Sequence, residues 1–249
     1  MKGNITLCAD LGGSCVKLAV VSDGRVVDSE MFFSSECTAN TLATVVEKGR
    51  RMMRGAGDAF AGLAVAAPGI VDEENRRVVV CNGKYAGLED IDLVAWARRE
   101  FSLDLRIVND ARAALLGELS YGCAKGETDA VMVILGTGVG TSAISEGRVV
   151  RGRHFVHGLL GGHLPINFDG DRRCTCGARN CLEAYVGSWA LKELTGDPAY
   201  DYRRSRRSCA RRHRVLSALW RRWGTALGKE YGLRPRRTGR EAPGVLSTT

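Results

Sequence analysis

The chain has 249 residues, 45% of them apolar, which is enough to bury a proper core in one large domain or two modest ones. No run of eighteen apolar residues occurs, and the first residues, MKGNITLCAD, lack the apolar stretch and small-residue cleavage site of a secretory signal, so a cytoplasmic protein with no membrane partner is expected. The net charge of +8 is unevenly spread: residues 203–240 hold fourteen Arg or Lys against one acid, Glu230, whereas residues 1–202 hold 22 basic and 26 acidic side chains, so the body carries no electrostatic footprint for nucleic acid.

In chain order, ITLCADLGGSCVKLAVVSDGRVVDSEMFF predicts strand, Gly-Gly turn, strand, Asp-Gly turn, strand, because short β-branched runs alternate with turn residues. A helix is expected over Thr38–Ala56, then a buried strand in AGLAVAAPGIVD and an irregular segment to Asp90. A helix near Leu93–Phe101, a strand in LRIVND and a helix from Ala111 to about Tyr121 follow. The stretch AVMVILGTGVGTSAISEGRVVRG then repeats the opening rhythm, including the Gly-Arg-Val-Val. Gly12 to Arg25 and Gly136 to Arg148 span nearly equal lengths, which suggests a duplicated architecture with two halves around a cleft. Alternating strands and helices indicate an α/β protein.

The two glycine-rich turns are candidate phosphate cradles. In DLGGSCVK, a strand ends at Asp10, two glycines allow outward-facing N–H groups, and Ser14 adds a hydroxyl. Asp10 could reach Mg²⁺ directly or through water. A plain hairpin turn is the other reading, but the second loop, LGTGVGT, makes a two-sided grip on a nucleotide the better explanation. No helix opens directly after either turn, so neither is a Walker A or dinucleotide-binding fingerprint.

Asp110, in VNDARAALLGE, has two readings. Asn or Asp before a helix is a common N-cap. A carboxylate at a cleft edge can also act as a general base toward a hydroxyl that attacks phosphorus. The sharpest signal is GGHLPINFDGDRRCTCGARNCLE. Cys174, Cys176 and Cys181 follow C-x-C-x4-C, and His163 lies eleven residues before the first of them. Three thiolates and one imidazole favour tetrahedral Zn²⁺ in a closed, structural site, with simple buried thiols as the alternative.

These motifs, with APGIVD at Ala67–Asp72 and NDARAA, fall in the order of the ROK family of repressors, open reading frames and sugar kinases, which the chain resembles over roughly residues 5 to 192. The resemblance implies an actin-like, hexokinase-like ATPase fold with an incomplete C-terminal domain. The expected layout is an N-terminal α/β domain over 1–109, a C-terminal α/β domain over 110–199, and an atypical basic tail over 200–249, in which apolar residues at helical spacing from Val215 to Tyr231 predict one helix at about 214–231. The resemblance also implies ATP, Mg²⁺ and structural Zn²⁺ as cofactors and a small-molecule sugar as substrate. Separately, the mildly acidic body argues against a nucleic-acid partner despite the basic tail, and a homodimer is an expectation that the sequence leaves open. Asp110 then resembles the catalytic base, with Asn109, Asp110, His163 and Glu183 on the sugar. Asp10, Gly12, Gly13, Ser14 and Lys17, and Gly136, Thr137, Gly138 and Gly140, resemble the two phosphate loops. His163, Cys174, Cys176 and Cys181 resemble the zinc ligands.

Three features depart from the family pattern. Kinase members often carry Glu where Leu160 stands here, the His163–Cys174 spacing is one residue longer, and the strand and helices that normally close the chain are missing. The tail reads either as an Arg-rich arm or as a shifted reading frame. Codons for LRPRRTGR read one base later can spell Ser-Asp-Pro-Asp-Val-Leu-Val-Gly, which resembles the missing strand, and the frame shift is the expectation adopted. The functional expectation is an ATP-dependent sugar kinase impaired by that C-terminus. A sugar-responsive regulator, for which nine residues before Asp10 leave no space for a helix-turn-helix, and a non-catalytic remnant are the alternatives.

Overall fold

The computed structural model describes residues 5–56, 60–81 and 83–197. The expected tail helix and the frame-shift reading lie outside the described residues. The opening meander forms as expected: β1 (Ile5–Leu11), β2 (Cys15–Ser22) and β3 (Arg25–Phe33) pair antiparallel in sequence. Helix α1 (Thr38–Ala56) follows, then β4 (Phe60–Ala67), which pairs parallel with β1. The single strand expected in AGLAVAAPGIVD is two strands. Gly69 breaks it at φ 84°, and a Cβ there would collide with the Val80 carbonyl, so the chain turns into β5 (Ile70–Asp72), which pairs with β6 (Arg77–Val80).

Helix α2 (Leu93–Phe101) is capped by Asp92, whose side chain accepts from the Ala95 N–H at 2.9 Å, and ends at Ser102 in the left-handed region. Strand β7 (Leu105–Asn109) then pairs parallel with β4, completing a five-stranded sheet of order β3-β2-β1-β4-β7, and leads into α3 (Asp110–Tyr121). The second meander is a three-stranded sheet of β8 (Ala130–Leu135), β9 (Val139–Ser145) and a two-residue β10 (Arg148–Val149). Two short helices end the described chain, α4 (Glu183–Val186) and α5 (Ser188–Thr195).

The described residues separate into two compact units. One comprises 5–133, 140–161 and 175–177; the other comprises 134–139, 162–174 and 178–197. The first has the larger core. Leu7, Ala9 and Leu11 of β1 alternate inward with Val16, Leu18 and Val20 of β2 and Leu63 and Val65 of β4. Leu42, Val45 and Met52 of α1 and Leu93, Trp96 and Phe101 of α2 cover them, with Trp96 and Phe101 edge-to-face at 5.5 Å. The helices lie close together because Gly49 has no side chain: a Cβ there would sit 2.9 Å from the Phe101 ring. The core of the second unit is small, made of Leu135, Val139 and Val186 beside Leu182 and Tyr185, with a second cluster around Cys174, Cys181 and Ala184. Among the described residues no helix is long and apolar enough to cross a membrane.

Candidate functional site: two glycine turns, a half-buried carboxylate and a Cys/His knuckle

The first glycine turn joins β1 to β2. A Cβ on Gly12 would lie 2.5 Å from the Cys15 carbonyl oxygen, so the turn admits only glycine there. Its carbonyls are tied down from behind. The Tyr85 hydroxyl donates to the Gly12 C=O at 3.0 Å, the Ser34 hydroxyl to the Gly13 C=O at 3.1 Å, and the Ser34 N–H to the Ser14 C=O at 3.1 Å. Asp10 and Lys17 are cross-strand partners on one face of the sheet and form an ion pair at 3.3 Å. A cavity of about 350 Å³ lies over that face, lined by Cys8, Asp10, Lys17, Ala66, Arg106 and Val108 among others.

Tyr85 was not among the residues singled out from the sequence. It is 2% exposed, and burial followed by the charge of Asp10 pushes its hydroxyl well above the usual tyrosine range, so it stays a hydrogen-bond donor. No local signal marks it, because it meets the turn across 73 residues of chain.

Asn109 and Asp110 stand where β7 becomes α3. Asn109 is the N-cap: its side-chain oxygen accepts from the Arg112 N–H at 3.1 Å. Its amide nitrogen donates to the Gly69 C=O at 2.9 Å and to Asp110 Oδ1 at 3.0 Å. The turn in APGIVD thus holds the asparagine that holds the aspartate. Asp110 Oδ1 also accepts from the Ala111 N–H at 2.8 Å. Burial pushes the Asp110 carboxyl up to about 6 and the nearby charge of Asp10 adds to that, against the opposing pull of its hydrogen bonds. Of the two readings of this dipeptide, Asn109 supplies the cap and the aspartate is left as a carboxylate with a raised pKa.

One turn into α3, Arg112 was also missed. Its guanidinium is 1% exposed. It pairs with Glu73 at 3.3 Å and donates to the carbonyls of Phe155 at 2.8 Å and His157 at 3.2 Å, while Arg151 pairs with the other Glu73 oxygen at 2.9 Å. A planar fork with five donors suits one residue to clamp a carboxylate and several carbonyls. In the sequence it is simply another Arg on a helix, since its partners lie up to 45 residues away.

The second glycine turn joins β8 to β9. The Gly136 N–H donates to the Gly138 C=O at 3.0 Å, and the Ser188 N–H donates to the Gly136 C=O at 3.0 Å. A Cβ on Gly138 would collide with the Glu183 carboxylate. Glu183 is buried and its Oε2 accepts from the Val139 N–H at 2.9 Å. Gly140 lies within β9.

His163, Cys174, Cys176 and Cys181 come together, with one ligand atom from each lying within 4.8 Å of all the others. Cys176 sits in the turn of this knuckle, a single covalent run closed by Leu182 N–H to Leu164 C=O at 2.9 Å, Ile166 N–H to Asn180 C=O at 2.9 Å and Cys174 N–H to Ala178 C=O at 2.9 Å. Cys174 Sγ is 3.6 Å from His163 Nδ1. Tetrahedral zinc, with Zn–S of about 2.3 Å and Zn–N of about 2.1 Å, requires an S···N edge of about 3.6 Å, so the donor set and its spacing fit that ion. None of the eight described cysteines forms a disulfide.

Solved ROK kinases similar in structure to this chain, among them a hexokinase from Thermus thermophilus at 26% identity and a TM-score of 0.62 over 77% of this chain and 63% of that one, give it the actin-like ATPase fold. The profile of the ROK family matches residues 6–231, and the chain belongs to that family. The match extends past the 5–192 over which the motifs carry the resemblance, into the basic segment. The chain is 33% identical to the xylose repressor of Bacillus spizizenii over 132 residues, which is 52% of this chain and 33% of the repressor. It is 25% identical to the glucokinase of Halalkalibacterium halodurans over 218 residues, 84% of this chain and 64% of that enzyme. In structure it is similar to a ROK glucokinase from Streptomyces griseus solved with glucose and AMPPNP, with a TM-score of 0.64 and 24% identity over 78% of this chain and 62% of that one. The chain thus spans about a third to two thirds of the length of these relatives.

Proposed function

We propose that the protein is a ROK-type sugar kinase that transfers the γ-phosphoryl group of ATP to a hydroxyl of a hexose or N-acyl-hexosamine. The observation that carries this reading is the Asp110 carboxyl. It stands at the N-terminus of α3, oriented by Ala111 and Asn109, with a pKa pushed up to about 6. A base is most effective when its pKa lies near the working pH, where it is ionised yet can still take a proton. In this reading Asp110 accepts the proton of the attacking sugar hydroxyl as that oxygen approaches phosphorus. The glucokinase relatives support a hexose as acceptor, and the N-acyl-hexosamine alternative follows the family resemblance.

The remaining roles follow the family resemblance. Gly12, Gly13 and Ser14, and Gly136, Thr137, Gly138 and Gly140, would bind phosphate oxygens, with Lys17 near the first turn. Asp10 would hold Mg²⁺, which supplies charge neutralisation on the phosphates when bound. Asn109, His163 and Glu183 would hydrogen-bond the sugar, and His163, Cys174, Cys176 and Cys181 would hold a structural zinc ion. Leu160 stands in place of a frequent glutamate and is 45% exposed, so one polar contact to the sugar is replaced by an apolar one. The partition at 109/110, a homodimer, a cytoplasmic setting and the lack of a nucleic-acid or membrane partner belong to the same proposal.

The test is ADP release with a panel of hexoses and N-acyl-hexosamines. Turnover with at least one sugar is expected, and Asp110→Ala should lower kcat by about 10³-fold, within the range that general bases contribute, while circular dichroism stays unchanged. Phosphorylation that persists in the variant would refute the assignment of the base. The match to a xylose repressor favours a second reading, a sugar-responsive regulator. Sequence-specific, salt-dependent DNA binding without ADP release would select it.

A further inference from the structure

The residues that follow the candidate zinc ligands frame the second glycine turn, and their hold converges on Val139. Glu183, two positions after Cys181, is 7% exposed and accepts the Val139 N–H at 2.9 Å. Its other oxygen is 3.9 Å from Cys174 Sγ. Gly162, adjacent to His163, packs so closely on the other side of Val139 that a Cβ would run into its carbonyl oxygen. The Ser188 N–H holds the Gly136 carbonyl at 3.0 Å, and Val186 packs against Leu135 and Val139. A side chain at Gly138 would have to displace the Glu183 carboxylate, which occupies the space of its Cβ.

We infer that the knuckle is the scaffold of the turn at 136–138, and that Glu183 is a positioning residue through which metal occupancy is transmitted to that turn. This rests on the reading of the turn as a phosphate loop under the proposed function. Helix α4 has only four residues and the core around it is small, so the knuckle owes its shape to hydrogen bonds such as Leu182 N–H to Leu164 C=O and to its ligands, and not to a large apolar core. Binding of a metal to such a segment is also folding of that segment. A turn whose shape depends on Glu183 and Gly162 is therefore ordered by the same event. Linkage makes the effect reciprocal: if zinc strengthens nucleotide binding, nucleotide strengthens zinc binding by the same factor.

A role for Glu183 only as a sugar ligand predicts something different, because nucleotide binding without sugar would not depend on it. The experiment measures hydrogen exchange of the amides at 135–142 and titrates AMPPNP in the absence of sugar. It uses the full chain with zinc, after chelation, and as Glu183→Ala and Glu183→Gln with zinc retained. Loss of a hydrogen bond to a charged acceptor should speed Val139 exchange about tenfold or more in Glu183→Ala and weaken AMPPNP binding by a similar factor. Glu183→Gln, which keeps an acceptor oxygen, should stay nearer the unaltered protein, and chelation should reproduce the alanine variant. Unchanged Val139 exchange and AMPPNP affinity in zinc-loaded Glu183→Ala would overturn the inference, and that arm decides even if chelation unfolds the chain. If the zinc-loaded protein binds no AMPPNP while Val139 exchange still follows zinc and Glu183, the phosphate-loop reading fails and the scaffold stands.

Discussion

The two glycine turns look alike in sequence and are held by different means. The first sits between two long strands of a five-stranded sheet whose inner face is packed by two helices, and Tyr85 and Ser34 fasten its carbonyls. The second joins shorter strands, and its fastening comes from Glu183, Gly162 and Ser188 in and beyond a Cys/His knuckle. Both turns are fastened by hydrogen bonds, but the first stands on a large apolar core and the second on a small one next to a metal-ready cluster. Burial is spread over many side chains and tolerates single losses; a ligand cluster concentrates its effect in four residues. The same backbone device can therefore respond to different perturbations.

This contrast can be broken most forcefully at Arg112. Replacement by Met keeps much of the volume but removes the guanidinium from one Glu73 oxygen and from two carbonyls, leaving Arg151 as the remaining partner of Glu73. Breaking a buried ion pair from one side costs about 3–5 kcal/mol. We expect a loss of that order in urea unfolding followed by a probe in α3, with zinc stoichiometry unchanged. Zinc loss together with the unfolding shift would show that the two turns do not have separate supports.

A smaller effect is expected at Asp110. Its folded pKa of about 6 lies above the ordinary carboxylate value, so protonation favours the native state. That contribution is fully present below about pH 4 and is lost as pH rises through 6. Asp110→Asn removes the cost of the buried charge and should stabilise the protein by about 1–2 kcal/mol at pH 8, with the gain vanishing near pH 4. A pH-independent difference in melting temperature would contradict the burial argument. Under the proposed kinase function the same group predicts that kcat/KM of the unaltered protein falls as pH drops below about 6.

The smallest effect is expected at Tyr85. Tyr85→Phe deletes the hydroxyl that donates to the Gly12 carbonyl and leaves the ring in its buried place. The cost should be about 1 kcal/mol. Amide exchange should quicken in 11–15 and remain unchanged in 135–142; equal quickening in both segments would erase the contrast.

Much of the first unit was legible in the sequence because its signals are local. The period-2 burial of β1 and β2, the span Thr38–Ala56 and the helix Leu93–Phe101 all form where patterning places them. The break at Gly69 was not legible: Pro-Gly inside an apolar run is compatible with either a kinked strand or two strands, and the collision with Val80 that requires two comes from a segment paired with it. The third strand of the second meander shrinks to Arg148–Val149 despite the repeated Gly-Arg-Val-Val, since strand length is set by pairing partners and not by the strand's own residues.

What the sequence determined by itself are the residue types and spacings that short-range chemistry demands: glycines at tight turns, an Asn-Asp pair before a helix, and three cysteines and a histidine within nineteen positions of one another. Only the tertiary structure decided which distant groups complete them. Tyr85 beneath Gly12, Gly69 behind Asn109, and Asp10 close enough to raise Asp110 are contacts across tens of residues. Such contacts depend on how sheets and helices pack in three dimensions, and no periodicity along the chain encodes them.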